Sequence, residues 1–236
     1  MTKRPYVLLS CAMSVDGYID DTTSERLLLS NAADFDRVDA ERAKCDAILI
    51  GAETLRRDNP RLLVNSPERR AAREAQGLPA YPLKVTMTGS GNLDPELRFW
   101  HHGDAKLIYA PEPVAAEVRA RLGGLAEVAS TGETLSVPAM LEDLADRGVS
   151  KIMVEGGGTV HTQFLAAGAV DEIQLAVAPF FLGDARAPRF VNPARFPDGP
   201  SNRMTLASVE AVGDMAVLRY LPASSQAAQV GMRGAA

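Results

Sequence analysis

Cysteine and histidine are scarce in this chain of 236 residues. It has two cysteines, Cys11 and Cys45, and three histidines, His101, His102 and His161. No Cys-x-x-Cys pair exists, so a zinc site or a dithiol redox centre has no ligands to start from. Both cysteines lie in apolar stretches and read as buried free thiols of a reducing, cytoplasmic protein. There is no uninterrupted apolar run of about 18 residues, which excludes a membrane-spanning helix. The apolar stretch near the N-terminus is short, is broken by Ser10 and runs into Asp16-Gly17. It reads as a strand and turn rather than a secretory leader. Positive charge is also in deficit: 25 Lys and Arg face 30 Asp and Glu, for a net charge of −5. A nonspecific nucleic-acid surface needs the opposite balance. With 46% hydrophobic and 23% charged residues, the composition is that of a globular chain with a core of its own.

What is present alternates between strand-like and helix-like segments. Tyr6–Met13 reads as a buried strand, and a helix capped by Asn31 runs to about Lys44, with Asp34 in its first turn. Phe35, Val38 and Ala43 are expected on its inner face, and Asp36, Arg37, Asp39 and Glu41 outside. Ala47–Ile50 is wholly apolar, as in a strand covered on both faces. A second helix follows Gly51 and stops near Asn59-Pro60. Residues 65–82 read as a polar surface loop with one short helix, and Arg69, Arg70 and Arg73 as solvated. Strands follow at Leu83–Thr88, Lys106–Ala110, Lys151–Val154 and Glu172–Ala178. Helices are expected near Val114–Arg121, Pro138–Arg147 and from the glycines to about Ala167. Met204–Val212 and Met215–Leu221 flank Gly213-Asp214 as an antiparallel hairpin. The pattern predicts an α/β layered fold, mostly parallel, with helices on both faces. We expect one domain over residues 1–221 and a disordered tail over 222–236.

Three strand-to-turn junctions could carry chemistry. The strongest is Lys151–Thr159, KIMVEGGGT, in which an apolar strand ends in Glu155 and three glycines open a helix. Ligands of open α/β sheets sit beyond the C-terminal ends of strands, and a helix N-terminus offers free N–H groups to a phosphate. The run is neither the dinucleotide fingerprint, since His161 stands at its last glycine position, nor a P-loop. A purely structural glycine turn fits the same letters. The second junction is Ile50–Asn65, where Thr54 and Asp58 are four apart on one helical face. The third is Ser14–Tyr18, whose Asp16-Gly17 is, taken alone, a common turn dipeptide. His161 lies in the first turn of the glycine-rich helix and reads as a packed or exposed histidine rather than a proton donor.

In this order and spacing, the stretches VLLSCAMSVDG (7–17), ERAKCDAILIGAETLRRDNPRL (41–62), KIMVEGGGTVHTQFLAAGAVDEI (151–173) and APFFLGDARAP (178–188) resemble the riboflavin-biosynthesis pyrimidine reductase family. That family comprises the reductase domain of the bacterial bifunctional enzyme and its archaeal and fungal relatives. No deaminase zinc motif precedes the match, so the chain looks like the stand-alone form. The resemblance implies a dihydrofolate-reductase-like fold and, usually, a homodimer. It implies NADPH as cofactor and hydride transfer to C1′ of a ribosylaminopyrimidine 5′-phosphate. By position it implies cofactor contacts at Ala12, Gly51, Thr54, Asp58, Thr88, Ser90, Gly156, Gly157, Gly158 and Thr159. Substrate contacts are implied at Arg42, Leu62 and Glu155. Glu155 and Asp16 are the candidates for moving a proton, provided that burial beside the nicotinamide raises their pKa.

The substrate half of the pattern is less well kept. Family members acting on the phosphorylated pyrimidine commonly read L-T-V-R where this chain has Leu62-Leu63-Val64-Asn65. A neutral Asn65 cannot replace the bidentate charge of an arginine. Either another arginine holds the phosphate, or the substrate is another heterocycle such as a pterin. A nucleotide-binding protein without catalysis is the alternative from a different class.

Overall fold

The computed structural model describes residues 4–23, 25, 27–223 and 225. In chain order the elements begin with β1 (Tyr6–Ser14), α1 (Ala32–Ala43), β2 (Ala47–Gly51), α2 (Ala52–Asp58) and α3 (Pro67–Ala75). They continue with β3 (Leu83–Met87), α4 (Arg98–His101), β4 (Lys106–Ala110), α5 (Glu112–Leu122), β5 (Glu127–Ser130) and α6 (Val137–Asp146). The last are β6 (Lys151–Gly156), α7 (Gly158–Ala166), β7 (Glu172–Ala178), β8 (Thr205–Val212) and β9 (Met215–Leu221). Two compact units result. Asp36–Met153 forms one, and Tyr6–Phe35 with the described residues from Val154 onward forms the other.

In the first unit β5, β4, β3 and β2 are neighbours in that order, and every pair is parallel. Parallel strands need crossovers. Pro at the start of α5 and α6, and the left-handed Gly123 ending α5, mark where these helices begin and stop. Ile48, Ile50, Leu55, Phe99, Trp100, Ile108 and Val118 form the core. Phe99 and Trp100 meet edge to face with ring centroids 4.8 Å apart, a preferred aromatic geometry.

In the second unit β1 pairs in parallel with β7, from Leu8 opposite Glu172 to Ser14 opposite Ala178. The hairpin β8–β9 follows as expected, and β9 pairs antiparallel with β7. Gly213 turns it at φ +63°. The small cluster Ala176, Ala178, Met215 and Val217 is its core beside Ala12 and Phe180. The fold is thus mixed α/β, mostly parallel, with antiparallel C-terminal strands.

Three expectations need correction. The face of α1 differs at two positions: Phe35 is 44% exposed and Asp39 is buried, while Asp36 is exposed as expected. Asp39 goes inside because backbone donors meet it there, as described below. The arginines of α3 are not a solvated face, and Arg73 is 2% exposed, giving its guanidinium to the carbonyls of Ala43, Cys45 and Pro79. Two short elements, α4 and β5, carried too few residues for a periodic signal. Of the expected tail, Ala223 N donates to Asp198 and Ser225 Oγ to Asp171. Residues 226–236 lie outside the described residues. Cys11 and Cys45 are buried free thiols. Among the described residues no helix is long and apolar enough to cross a membrane, and no cluster could hold a metal ion.

Candidate active site

In the second unit, β1 and β7 run parallel and end at Ser14 and Ala178, and β6 ends in Gly156. The segments that follow these three ends are knitted together by backbone contacts. Gly157 has φ +87°, a conformation open to glycine. It caps α7 without any side-chain bond, so the first-turn N–H groups of α7 have no intrahelical acceptor. Gly158 is needed for a different reason: a Cβ there would lie 2.4 Å from the carbonyl oxygen of Arg189. The segment around Arg189 is laid directly on the first turn of the helix. Asn192 N donates to Thr162 Oγ at 2.8 Å, and Thr162 Oγ donates to Gly158 O at 2.6 Å. Thr159 itself is exposed.

His161 holds the same segment from inside. It is fully buried, its Nδ1 lies 3.0 Å from the carbonyl of Phe190, and its ring tilts against the Phe190 ring at 5.2 Å. A carbonyl can only accept, so Nδ1 carries the proton. Nε2 has no hydrogen-bond partner among the described residues. Burial pushes this histidine down to about 4, so it is neutral at ordinary pH. The Arg189 side chain reaches back to Tyr18, with a 2.8 Å bond to its hydroxyl and the guanidinium 4.4 Å from the ring centre.

Asp16 is a fastener rather than an acid. It accepts from Ser14 Oγ at 2.6 Å, Leu182 N at 3.1 Å and Gly183 N at 2.8 Å. These donors, the serine hydroxyl foremost, hold the carboxyl down to about 2. That direction is opposite to the rise expected of a group giving protons near neutrality. Glu155 is half-buried, one residue before the last of β6. Ala12 lies on β1 opposite Ala176.

The remaining expected residues belong to the first unit. Gly51 caps α2 in extended conformation without a side-chain bond. Thr54 and Asp58 are half-buried on that helix, one turn apart. Thr88 is buried, and its hydroxyl accepts from Gly91 N at 3.0 Å; Ser90 is exposed in the same turn. Arg42 Nη1 donates to Leu63 O at 3.0 Å, and Leu62 is buried with φ +51°. Asn65 faces inward. Its backbone N–H and side-chain amide both donate to Asp39, which also accepts from Ser66 N at 3.2 Å and Arg69 Nη1 at 3.0 Å. These donors, against the opposing cost of burial, lower the Asp39 pKa. Arg70 gives its guanidinium to the carbonyls of Val64 and Asn65.

Arg189, Phe190 and Asn192 were given no role from the sequence. The signal that could have found them was weak: a Gly-, Pro- and Asp-rich stretch after β7 that is too long for a simple strand connection.

Comparison with known proteins places this architecture. Acinetobacter baumannii RibD in crystal form 1 shares the fold, with a TM-score of 0.76 over 93% of this chain at 24% identity. The present chain spans 58% of that longer chain. A pyrimidine reductase-like protein from Corynebacterium diphtheriae gives 0.74 at 22% identity over 92% of both chains. In sequence, residues 5–218 match the model of the RibD C-terminal domain. An Archaeoglobus fulgidus protein named 2,5-diamino-6-ribosylamino-4(3H)-pyrimidinone 5′-phosphate reductase is 36% identical over 187 residues, covering 78% of this chain and 85% of that one. Its namesake from Methanothermobacter thermautotrophicus is 33% identical over 186 residues, 78% and 82% of the two. The chain belongs to the RibD C-terminal domain family, and by kinship it is an oxidoreductase.

Proposed function

We propose that this protein is an NADPH-dependent reductase of a ribosylaminopyrimidine 5′-phosphate. The observation that carries the reading is the bare glycine turn at the end of β6. It caps a nine-residue helix without a side-chain hydrogen bond, which leaves first-turn N–H groups for the phosphates of a dinucleotide. The relatives' names supply the substrate class. Gly156, Gly157, Gly158 and Thr159, with Ala12, Gly51, Thr54, Asp58, Thr88 and Ser90, are proposed to contact the cofactor. NADPH, when bound, supplies the hydride. The chain's own residues orient the reactants and exclude water. Arg42, Leu62 and Glu155 are proposed to contact the pyrimidine substrate, and Glu155 is proposed to give or take the product's proton. Asp16 acts through the loop it fastens.

Asn65 favours a second substrate reading. Arg69 and Arg70 beside it are committed to Asp36, Asp39 and backbone carbonyls, so no neighbouring arginine of α3 takes over a phosphate. Another heterocycle, such as a pterin, fits that arrangement. A homodimer is the proposed assembly. The hairpin strand β8 pairs only with β9 in its unit, and Leu206 and Val209 on it are 49% and 57% exposed.

One experiment tests the reading. The purified protein, whose mass in solution is read by sedimentation, is mixed with NADPH and offered the ribosylaminopyrimidine phosphate or dihydrofolate. Oxidation with the first alone is the expected result, and Glu155→Gln lowers turnover more than NADPH affinity. Oxidation with dihydrofolate alone selects the second reading. Cofactor binding without any turnover leaves a binding protein, and no binding at all ends the reductase proposal.

A further inference from the structure

Among the described residues only two that are not glycine have a positive φ: Asn59 at 40° and Leu62 at 51°. Both are in the short loop after α2. A branched side chain in that conformation is strained, and it persists only where the surroundings over-determine it. Here they do. Arg98 N donates to Asn59 Oδ1 at 2.7 Å, and Arg42 Nη1 donates to Leu63 O at 3.0 Å. Between these two clamps, Lys84 Nζ donates to Arg61 O at 3.0 Å. On its other side the same ammonium donates to Phe99 O and sits 4.3 Å from the centre of the Phe99 ring.

Lys84 is an expensive way to fill that space. It is 0% exposed. Its acceptors are two carbonyls and an aromatic face, and no carboxylate pairs with it among the described residues. Burial first and the charge of another cation, Lys106, second push Lys84 down to about 7. Burying an ammonium without a counter-ion is costly, and a methionine would pack the same volume without that cost. What methionine cannot do is donate to the Arg61 carbonyl, one residue before the chain turns left-handed.

We propose that Lys84 is a positioning residue: it pins the left-handed turn at Leu62 and thereby sets the path of residues 58–63. The catalytic half of this inference rests on the reductase reading, in which that segment supplies a cofactor contact at Asp58 and a substrate contact at Leu62. The pinning of the turn does not depend on it.

The test uses Lys84→Met and Leu62→Gly, separately and together, in the full-length protein. Lys84→Met is expected to raise KM for the pyrimidine substrate about tenfold with kcat changed by less than about threefold. Glycine adopts a positive φ without a pin. Adding Leu62→Gly to Lys84→Met is therefore expected to recover part of the loss, although Leu62→Gly alone is harmful because it empties a buried site. Losses that simply multiply overturn the proposal. A second readout needs no activity. Trypsin should cut Lys84→Met at Arg61–Leu62, identified by fragment mass, faster than it cuts the natural protein there. Equal cutting at that bond in a folded variant overturns the proposal. If Lys84→Met does not fold, Lys84→Gln, which keeps an N–H donor without the charge, takes its place. Cutting and KM between those of the natural protein and those of Leu62→Gly then support the pin, and natural values for both overturn it. If the natural protein neither binds NADPH nor turns over a pyrimidine, yet the trypsin difference appears, the reductase reading fails and the pinned turn stands.

Discussion

At the end of β6 the chain is shaped by what the side chains leave out, whereas after α2 it is shaped by charged groups drawn inward. The glycine turn relies on backbone meeting backbone: Gly157 supplies a conformation, and Gly158 supplies room for the Arg189 carbonyl. The buried histidine packed there, His161, is neutral. The loop of residues 59–66 has no glycine. It is held by Lys84, Arg42, Arg70 and the carboxylate of Asp39, all bonded to main-chain groups. The two designs should fail differently. A packing joint breaks when an atom is added, and a charge-held joint breaks when one is removed.

The largest expected effect tests the first half of that contrast. In Gly158→Ala the new methyl meets a backbone oxygen at 2.4 Å, which no rotamer change relieves. Overpacking of this kind costs about 3 kcal/mol. Thermal unfolding should show it, and NADPH affinity measured by fluorescence should fall at least tenfold if the turn holds the cofactor. Wild-type affinity in Gly158→Ala would separate the turn from cofactor binding.

How legible each half was in the sequence follows from the same contrast. The glycines announce themselves, because a run of three after an apolar strand has few meanings, and β6, the turn and α7 stand where the pattern placed them. The reason for Gly158 was not legible: it lies in a carbonyl 31 residues further along the chain. The inward charges are not legible. Periodicity put Phe35 inside and Asp39 outside, because hydropathy scales assume that a carboxylate prefers water. Asp39 has two backbone N–H groups and a guanidinium waiting for it, and such long-range partners cannot be seen from a helix's own letters. Arg73 goes inside for the same reason, its acceptors at Ala43 and Cys45 lying far along the chain. Asp16 is legible as a turn residue but not as a carboxylate fastened by Leu182 and Gly183.

The second effect tests the charge-held joint. Asp39→Ala deprives two main-chain donors of their acceptor and Arg69 of one of its two carboxylates. An unsatisfied group of this sort costs about 2 kcal/mol net, so the variant should unfold several degrees earlier. Asp39→Asn keeps the shape and one acceptor oxygen and should lose about half as much. Equal stability in all three proteins would mean that the loop is held by packing alone, and the distinction between the two regions would disappear.

The smallest effect concerns the neutral ring in the packing joint, and its sign can be worked out. His161 is held at about 4 in the folded chain, below its ordinary 6.5. Between those values the unfolded chain binds a proton that the folded one refuses, so stability falls as pH drops from about 6.5 towards 4. By pH 5.5 the loss from this group is about 1.4 kcal/mol. His161→Phe keeps an aromatic ring against Phe190 but gives up the bond to its carbonyl, so at pH 7.5 it should be slightly less stable than the natural protein. It has nothing to protonate, and the two stability curves should therefore converge on acidification and cross near pH 5.5. Curves that stay parallel from pH 7.5 to 5 would show that the ring is not buried as a neutral base. The strap at Phe190 would then be held by charge, like the loop after α2.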